Sequence, residues 1–249
     1  MLSAGRLTWW LALAGFPLAM TLLVRWGLQE SGEVPENVDA AWSMAYYMLV
    51  PGVCTMLGVL VMAGPAVASE LEQRSWVYLA SRPHGILWLL LGKYLAAVSF
   101  GWSAALVGLT CSVVFCTAMG PFWLWLSMGI LSLFSASCYA AAFLLLGVVV
   151  LRRAMVLCMV WVLFVEVILG ALPAMVNRLT MQYRLRSILV QWLPIPEDVR
   201  EEPWMSQAVG LEPVWQHMVW LVGFVVLYLS GALWLANRRE FTAASEGDA

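Results

Sequence analysis

The residues able to do chemistry are few in this chain, and their spacing excludes more than it supports. Glu166 is the one ionisable residue deep inside an apolar run, in the stretch WVLFVEVILG. A carboxylate in hydrocarbon costs at least ~2.5 kcal/mol unless it is protonated, paired or hydrated. Two readings of Glu166 therefore stand: a residue lining a polar path or holding an outer gate, or a hydrogen bond that locks helix packing. Five cysteines (Cys54, Cys111, Cys116, Cys138, Cys158) all lie in apolar runs and form no CxxC pair, so they read as buried thiols and no metal site is expected. HExxH and GxSxG are absent, and the two histidines, His84 and His217, have no metal-spaced partners. Gly85 to Lys93 imitates a phosphate loop, but six residues separate its glycines and no Ser or Thr follows the lysine. A working loop needs four and a hydroxyl for magnesium. No catalytic residue is assigned, and no nucleotide-binding motif is visible.

The densest polar cluster is Ser69 to Pro83, SELEQRSWVYLASRP, lying between two long apolar stretches. Ser69 is placed to cap a new short helix, with Glu70 and Glu72 in its first turn, where the helix dipole favours acids. Leu71, Ser75, Tyr78 and Leu79 fall along one helical side, and Arg82-Pro83 ends the helix, because a residue before proline is pushed out of the α region. A solvated loop would not need a capped helix carrying Trp76, Tyr78 and Leu79. The segment has the composition of a surface that touches another protein.

Such a segment has to be positioned by the elements around it, and these are apolar. Of 249 residues, 63% are hydrophobic and 11% charged, with 15 Trp; soluble domains carry about a quarter charged residues. Continuous apolar runs of this length indicate spanning helices rather than alternating barrel strands. The net charge of −2, without a basic cluster, gives no reason to expect nucleic acid. Six spans are expected: Leu7 to Trp26 (read as an uncleaved helix), Ala41 to Ala68 with kinks at Pro51 and Pro65, Ile86 to Ala118, Pro121 to Leu151, Ala154 to Leu172, and Val214 to Ala236. The charge-free run 94–151 would be about 87 Å long as one helix. The bilayer core is about 30 Å thick, so the run is two crossings joined at Gly120-Pro121. Small residues Gly101, Ala105, Ser132, Ala136 and Ala140 recur at four-residue spacing and would allow close helix contact, within the chain or with a second copy. The fold class is therefore all-α and membrane-embedded, with residues 1–249 forming a single domain.

Six spans put both termini on one side. Assigning the termini, 69–93 and 152–153 to the cytoplasm places eight Lys and Arg there against five outside, as the positive-inside rule favours. The outer loop 173–213 holds a helical repeat, Met181, Leu185, Ile188, Leu189 and Trp192, with Arg178, Gln182 and Arg186 off its apolar face. It is expected to lie on the outer leaflet, its arginines near lipid phosphates. Arg25 and His217, near the outer ends of their spans, are candidate partners for Glu166.

Two stretches carry a family likeness. Glu70 to Lys93, ExExxSWxYLxSRPxxxxxxLxGK, resembles the inner loop of ABC-2 type transporter permeases, with its acidic E-x-E, short helix, Ser-Arg-Pro stop and Leu-Gly-Lys opening the third span. Trp161 to Ser187 resembles that family's intramembrane Glu, Leu-Pro and Tyr-x-Leu-Arg outer helix. The resemblance implies a permease subunit of a multi-pass cell (inner or plasma) membrane transporter, prokaryotic in type and working in export. It implies two paired permease chains, in a homo- or heterodimer. Each takes a separate cytoplasmic ATPase subunit that holds the ATP and magnesium; this chain is expected to hold no cofactor and to be no enzyme itself. Glu70, Glu72, Arg74, Ser75, Trp76, Tyr78, Leu79 and Arg82 then match the coupling helix (69–83) that fits a groove on that ATPase. Glu166 would sit near the outer part of the transport path. Arg178, Tyr183, Arg184 and Arg186 match the interfacial or re-entrant helix. The family's more usual Gly-Thr after E-x-E is replaced by Arg74-Ser75, which implies pairing with a cognate subunit. A non-transporting scaffold for an ATPase is the alternative; an intramembrane enzyme built on Glu166 lacks any second convergent acid, His or nucleophile. The apolar spans lean towards an amphipathic or lipid-like cargo.

Overall fold

In a computed structural model the chain is described at residues 4–31, 38–72, 84–116, 120–168, 170, 175–193, 209–210 and 212–238. Every regular element among them is helical. In chain order they are α1 (Ala4–Ser31), α2 (Val38–Tyr47), a π segment (Met48–Cys54), α3 (Thr55–Ala63), α4 (Ala66–Glu72), α5 (Gly85–Val113), α6 (Pro121–Val149) and α7 (Ala154–Trp161). A second π segment (Val162–Ile168), a 3₁₀ turn (Met175–Leu179), α8 (Met181–Trp192) and α9 (Val214–Arg238) follow. Among the described residues five stretches are long and apolar enough to cross a membrane: Gly5–Glu30, Val38–Glu72, Gly85–Val113, Pro121–Val149 and Val214–Arg238. Most of their large exposed side chains are apolar, as in Trp9, Leu23, Trp88, Leu95, Val222, Val226 and Leu227, the surface expected of helices bathed in lipid.

The expected spans agree in place with these helices, with one difference. Ala154 to Leu172 is helical over Ala154–Ile168 and again at Gly170 among its described residues, and it does not count among the five.

α6 lies at the centre, packed against α3, α4, α5, α7, α8 and α9. The small-residue stripe explains how. Gly101, Ala105, Ser132, Ala136 and Ala140 are all buried within the chain, so their close contacts are internal. A Cβ on Gly58 would stand 2.9 Å from the Gly101 Cα, and one on Gly147 would stand 3.1 Å from the Gly64 carbonyl oxygen. Helix backbones meet where no side chain intervenes.

Both expected kinks are present, in different forms. At Pro51 the helix widens into a π segment, because proline cannot donate to the carbonyl one turn back. Hydroxyls add bonds to the carbonyls of this segment: Thr55 Oγ1 donates to Val50 O at 2.8 Å, and Ser135 Oγ donates to Pro51 O at 2.7 Å. At Gly64-Pro65 the helix breaks, and α4 begins at Ala66 with Ser69 N donating to Pro65 O at 2.9 Å. Ser69 is therefore inside a helix and not its cap, its Oγ donating to Ala66 O at 3.0 Å. Glu70 and Glu72 accordingly close α4 instead of opening a new helix.

Candidate functional site

One cluster of buried polar residues gathers at the first turn of α8. Glu166, on the second π segment, is 7% exposed. Its Oε1 accepts from the Met181 N–H at 3.2 Å and its Oε2 from the Gln182 N–H at 3.0 Å. Thr180, the N-cap, accepts the Tyr183 N–H on its Oγ1 at 3.2 Å. The first backbone donors of a helix have no intrahelical acceptor, and here two side chains take three of them. A carboxylate also suits the positive end of the helix dipole.

Gln182 extends the cluster into the bundle. Its Nε2 donates to the Tyr139 hydroxyl at 2.8 Å, and the Tyr47 hydroxyl faces both Gln182 O, at 3.2 Å, and Gln182 Oε1. Tyr47 and Tyr139 are fully buried. Arg186, one turn on, donates from Nε to Gln182 O and from Nη2 to Gly170 O, both at 3.4 Å. α2, α6, the second π segment and α8 thus meet in one polar knot within an apolar bundle.

The knot fixes the depth of α8. Gln182 bonds Tyr139, far along α6, whereas Trp192 O accepts from Trp123 Nε1 at 2.9 Å near the start of α6. These two points on α6 are about 24 Å apart by helical rise. α8 therefore packs inside the bundle alongside α6. Tyr183, Arg184, Ser187 and Val190, off the expected apolar stripe, are buried together with Met181, Leu185, Ile188 and Leu189.

The expected lipid-facing arginines have protein partners. Arg184 is 5% exposed; its guanidinium lies 5.4 Å from the Tyr183 ring centre and 5.0 Å from that of Trp220. Its Nε donates to Arg178 O at 3.1 Å, and its Nη1 lies 3.3 Å from His217 Nδ1. Arginine can only donate, so that His217 nitrogen accepts, leaving Nε2 to carry the proton of the neutral ring. Nε2 faces Glu212 Oε2 at 3.7 Å, and the other Glu212 oxygen lies 3.8 Å from Arg178 Nη1. His217 is thus occupied by Arg184 and Glu212, and Arg25 donates to Phe115 O at 3.4 Å. Neither is the partner of Glu166.

At the opposite end, Glu70 Oε1 lies 2.5 Å from Lys93 Nζ, while Glu72 is exposed. Arg74, Ser75, Trp76, Tyr78, Leu79 and Arg82 lie outside the described residues. Among the described residues no group of three or more His, Cys, Asp or Glu could hold a metal ion. Gln182, Tyr47 and Tyr139 join the site without being singled out by spacing or charge in the sequence. Two tyrosines and a glutamine within apolar runs were the available signal, since a buried hydroxyl or amide needs a partner. No family model, curated protein or solved structure matches the chain.

Proposed function

We propose that this chain is the membrane-spanning permease subunit of an ATP-driven transporter of the ABC-2 type. In this reading the shorter apolar helix from Ala154 forms the fifth of six spans, completed by the residues beyond Ile168, and both termini face the cytoplasm. A second permease chain pairs with this one in a prokaryotic cell membrane, and a separate ATPase subunit binds ATP and magnesium. Residues 69–83 take that ATPase, and its closure re-orients the spans to export an amphipathic or lipid-like cargo.

The observation that carries the reading is the helix standing inside the bundle just before the last span, its foot held by Glu166. A discontinuous helix ending near mid-bundle is a recurrent transporter device. It lies in the stretch Trp161 to Ser187 that resembles the permease family. Both Glu166 oxygens are engaged by backbone N–H groups, which weighs against a catalytic acid and for the bond that locks helix packing.

Co-purification from the native host tests this. Reversing the charge of Glu70 and Glu72 together is expected to abolish retention of an ATPase subunit and the stimulation of its ATP hydrolysis. Intact coupling in that double variant would overturn the role given to the segment. ATP-dependent cargo movement in vesicles holding both subunits separates a transporter from a scaffold.

A further inference from the structure

The two acids of the E-x-E sequence have different surroundings. Val67 on α4 shares an apolar cluster with Leu90 on α5, Val148 on α6 and Ala236 on α9, and Leu71, Ile86 and Leu89 pack against it. Val67 and Leu71 are one turn apart, as are Leu89 and Lys93, so this packing sets one side of α4 against α5. Glu70 and Lys93 meet at the edge of that contact, their side chains 15% and 30% exposed. Glu72 projects outward. The pair ties α4 to α5 on either side of the segment that joins them. It also places a cation beside an acid that closes a helix, where the dipole alone disfavours a negative charge.

We propose that Lys93 is a positioning residue: with Glu70 it clamps the base of the polar segment, and Glu72 is the acid offered to the ATPase. The clamp stands without the transporter reading, whereas the role of Glu72 rests on it. A partner that drew Glu70 away would have to break the pair, so the clamp also sets how readily the segment follows the ATPase.

The full chain in lipid nanodiscs is compared by hydrogen exchange over residues 66–72. The variants are Glu70→Gln, Lys93→Gln, Glu72→Gln and the swapped pair Glu70→Lys with Lys93→Glu. Either neutralisation at the clamp is expected to speed exchange roughly two- to fivefold, the range of a partly exposed ion pair. The swap restores wild-type protection, and Glu72→Gln leaves it unchanged. Equal exchange in Lys93→Gln and wild type, or a swap as fast as the single variants, overturns the clamp. In the second arm, an ATPase that co-purifies with the wild-type chain is released by Glu72→Lys and retained, with weaker stimulation, by Lys93→Gln. Release by Lys93→Gln as complete as by Glu72→Lys overturns the division of roles. Rescue by the swap with no ATPase retained by any version supports the clamp and overturns the transporter reading.

Discussion

Glu166 and Gln182 are joined twice over: the carboxylate accepts the Gln182 main-chain N–H at 3.0 Å, and the Gln182 side chain carries the contact on to Tyr139. The acid that stands alone in the sequence is thus the N-terminal anchor of a helix that begins fifteen residues later. Glu166→Gln keeps the shape but removes the charge and turns one acceptor into a donor. It is expected to cost about 1–3 kcal/mol and to speed hydrogen exchange at Met181 and Gln182. Unchanged protection at both amides would show that the anchor lies elsewhere.

Arg184→Lys keeps a cation but loses the planar group between the Tyr183 and Trp220 rings and the fixed fork towards His217 and Arg178 O. Arginine and lysine are not interchangeable at a stacked site. A loss of about 1–3 kcal/mol is expected, with Arg184→Gln worse, measured as loss of thermal stability in detergent. A lysine variant as stable as wild type would mean that charge alone matters there.

Glycine contacts offer an internally controlled comparison. Gly58→Ala drives a methyl towards the Gly101 backbone at 2.9 Å, so the two helices must part, at about 1–3 kcal/mol. Gly92→Ala, in the same bundle with nothing within 4 Å of its Cβ, is expected to be neutral or to stabilise by up to about 1 kcal/mol. Equal melting shifts for the two would remove the close crossing as an explanation.

His84 precedes α5 with φ of 59°, a left-handed conformation costly for a side chain branched at Cβ. His84→Gly is expected to be neutral or mildly stabilising and His84→Val to destabilise by about 1–2 kcal/mol. The reverse order, read from thermal unfolding, would mean that the backbone there is not left-handed.

Much of the helical layout is legible in the residues. Apolar runs, Pro51, Gly64-Pro65 and Gly120-Pro121 mark where helices lie and where they bend, because these effects are local. The period of Met181, Leu185, Ile188, Leu189 and Trp192 reveals a helix and its apolar side. It does not reveal depth: lipid and protein neighbours select the same apolar residues. What buries the other side is far away in sequence, with Tyr139 beneath Gln182 and Trp220 beside Arg184. Ser69 illustrates a local signal outweighed by another. Its hydroxyl suits a cap, but Pro65 both stops α3 and starts α4, so the serine falls inside the new helix. The Glu70–Lys93 pair was hidden similarly, since each residue alone fits a solvated inner loop.

The π segment at Met48–Cys54 has a consequence for phase. A π turn takes up an extra residue, and each residue of an α-helix turns the chain by about 100°. Everything after Cys54 is therefore rotated relative to an unbroken helix drawn from Val38. Deleting one residue from the segment would let the α-helix close with Gly58 still on the line on which it meets Gly101, whereas forcing all its residues into an unbroken α-helix would swing Gly58 off that line by about 100°. The irregularity at Pro51 thus acts as the phase setting between the two halves of a single span. It faces Tyr47 towards the polar knot and Gly58 towards α5.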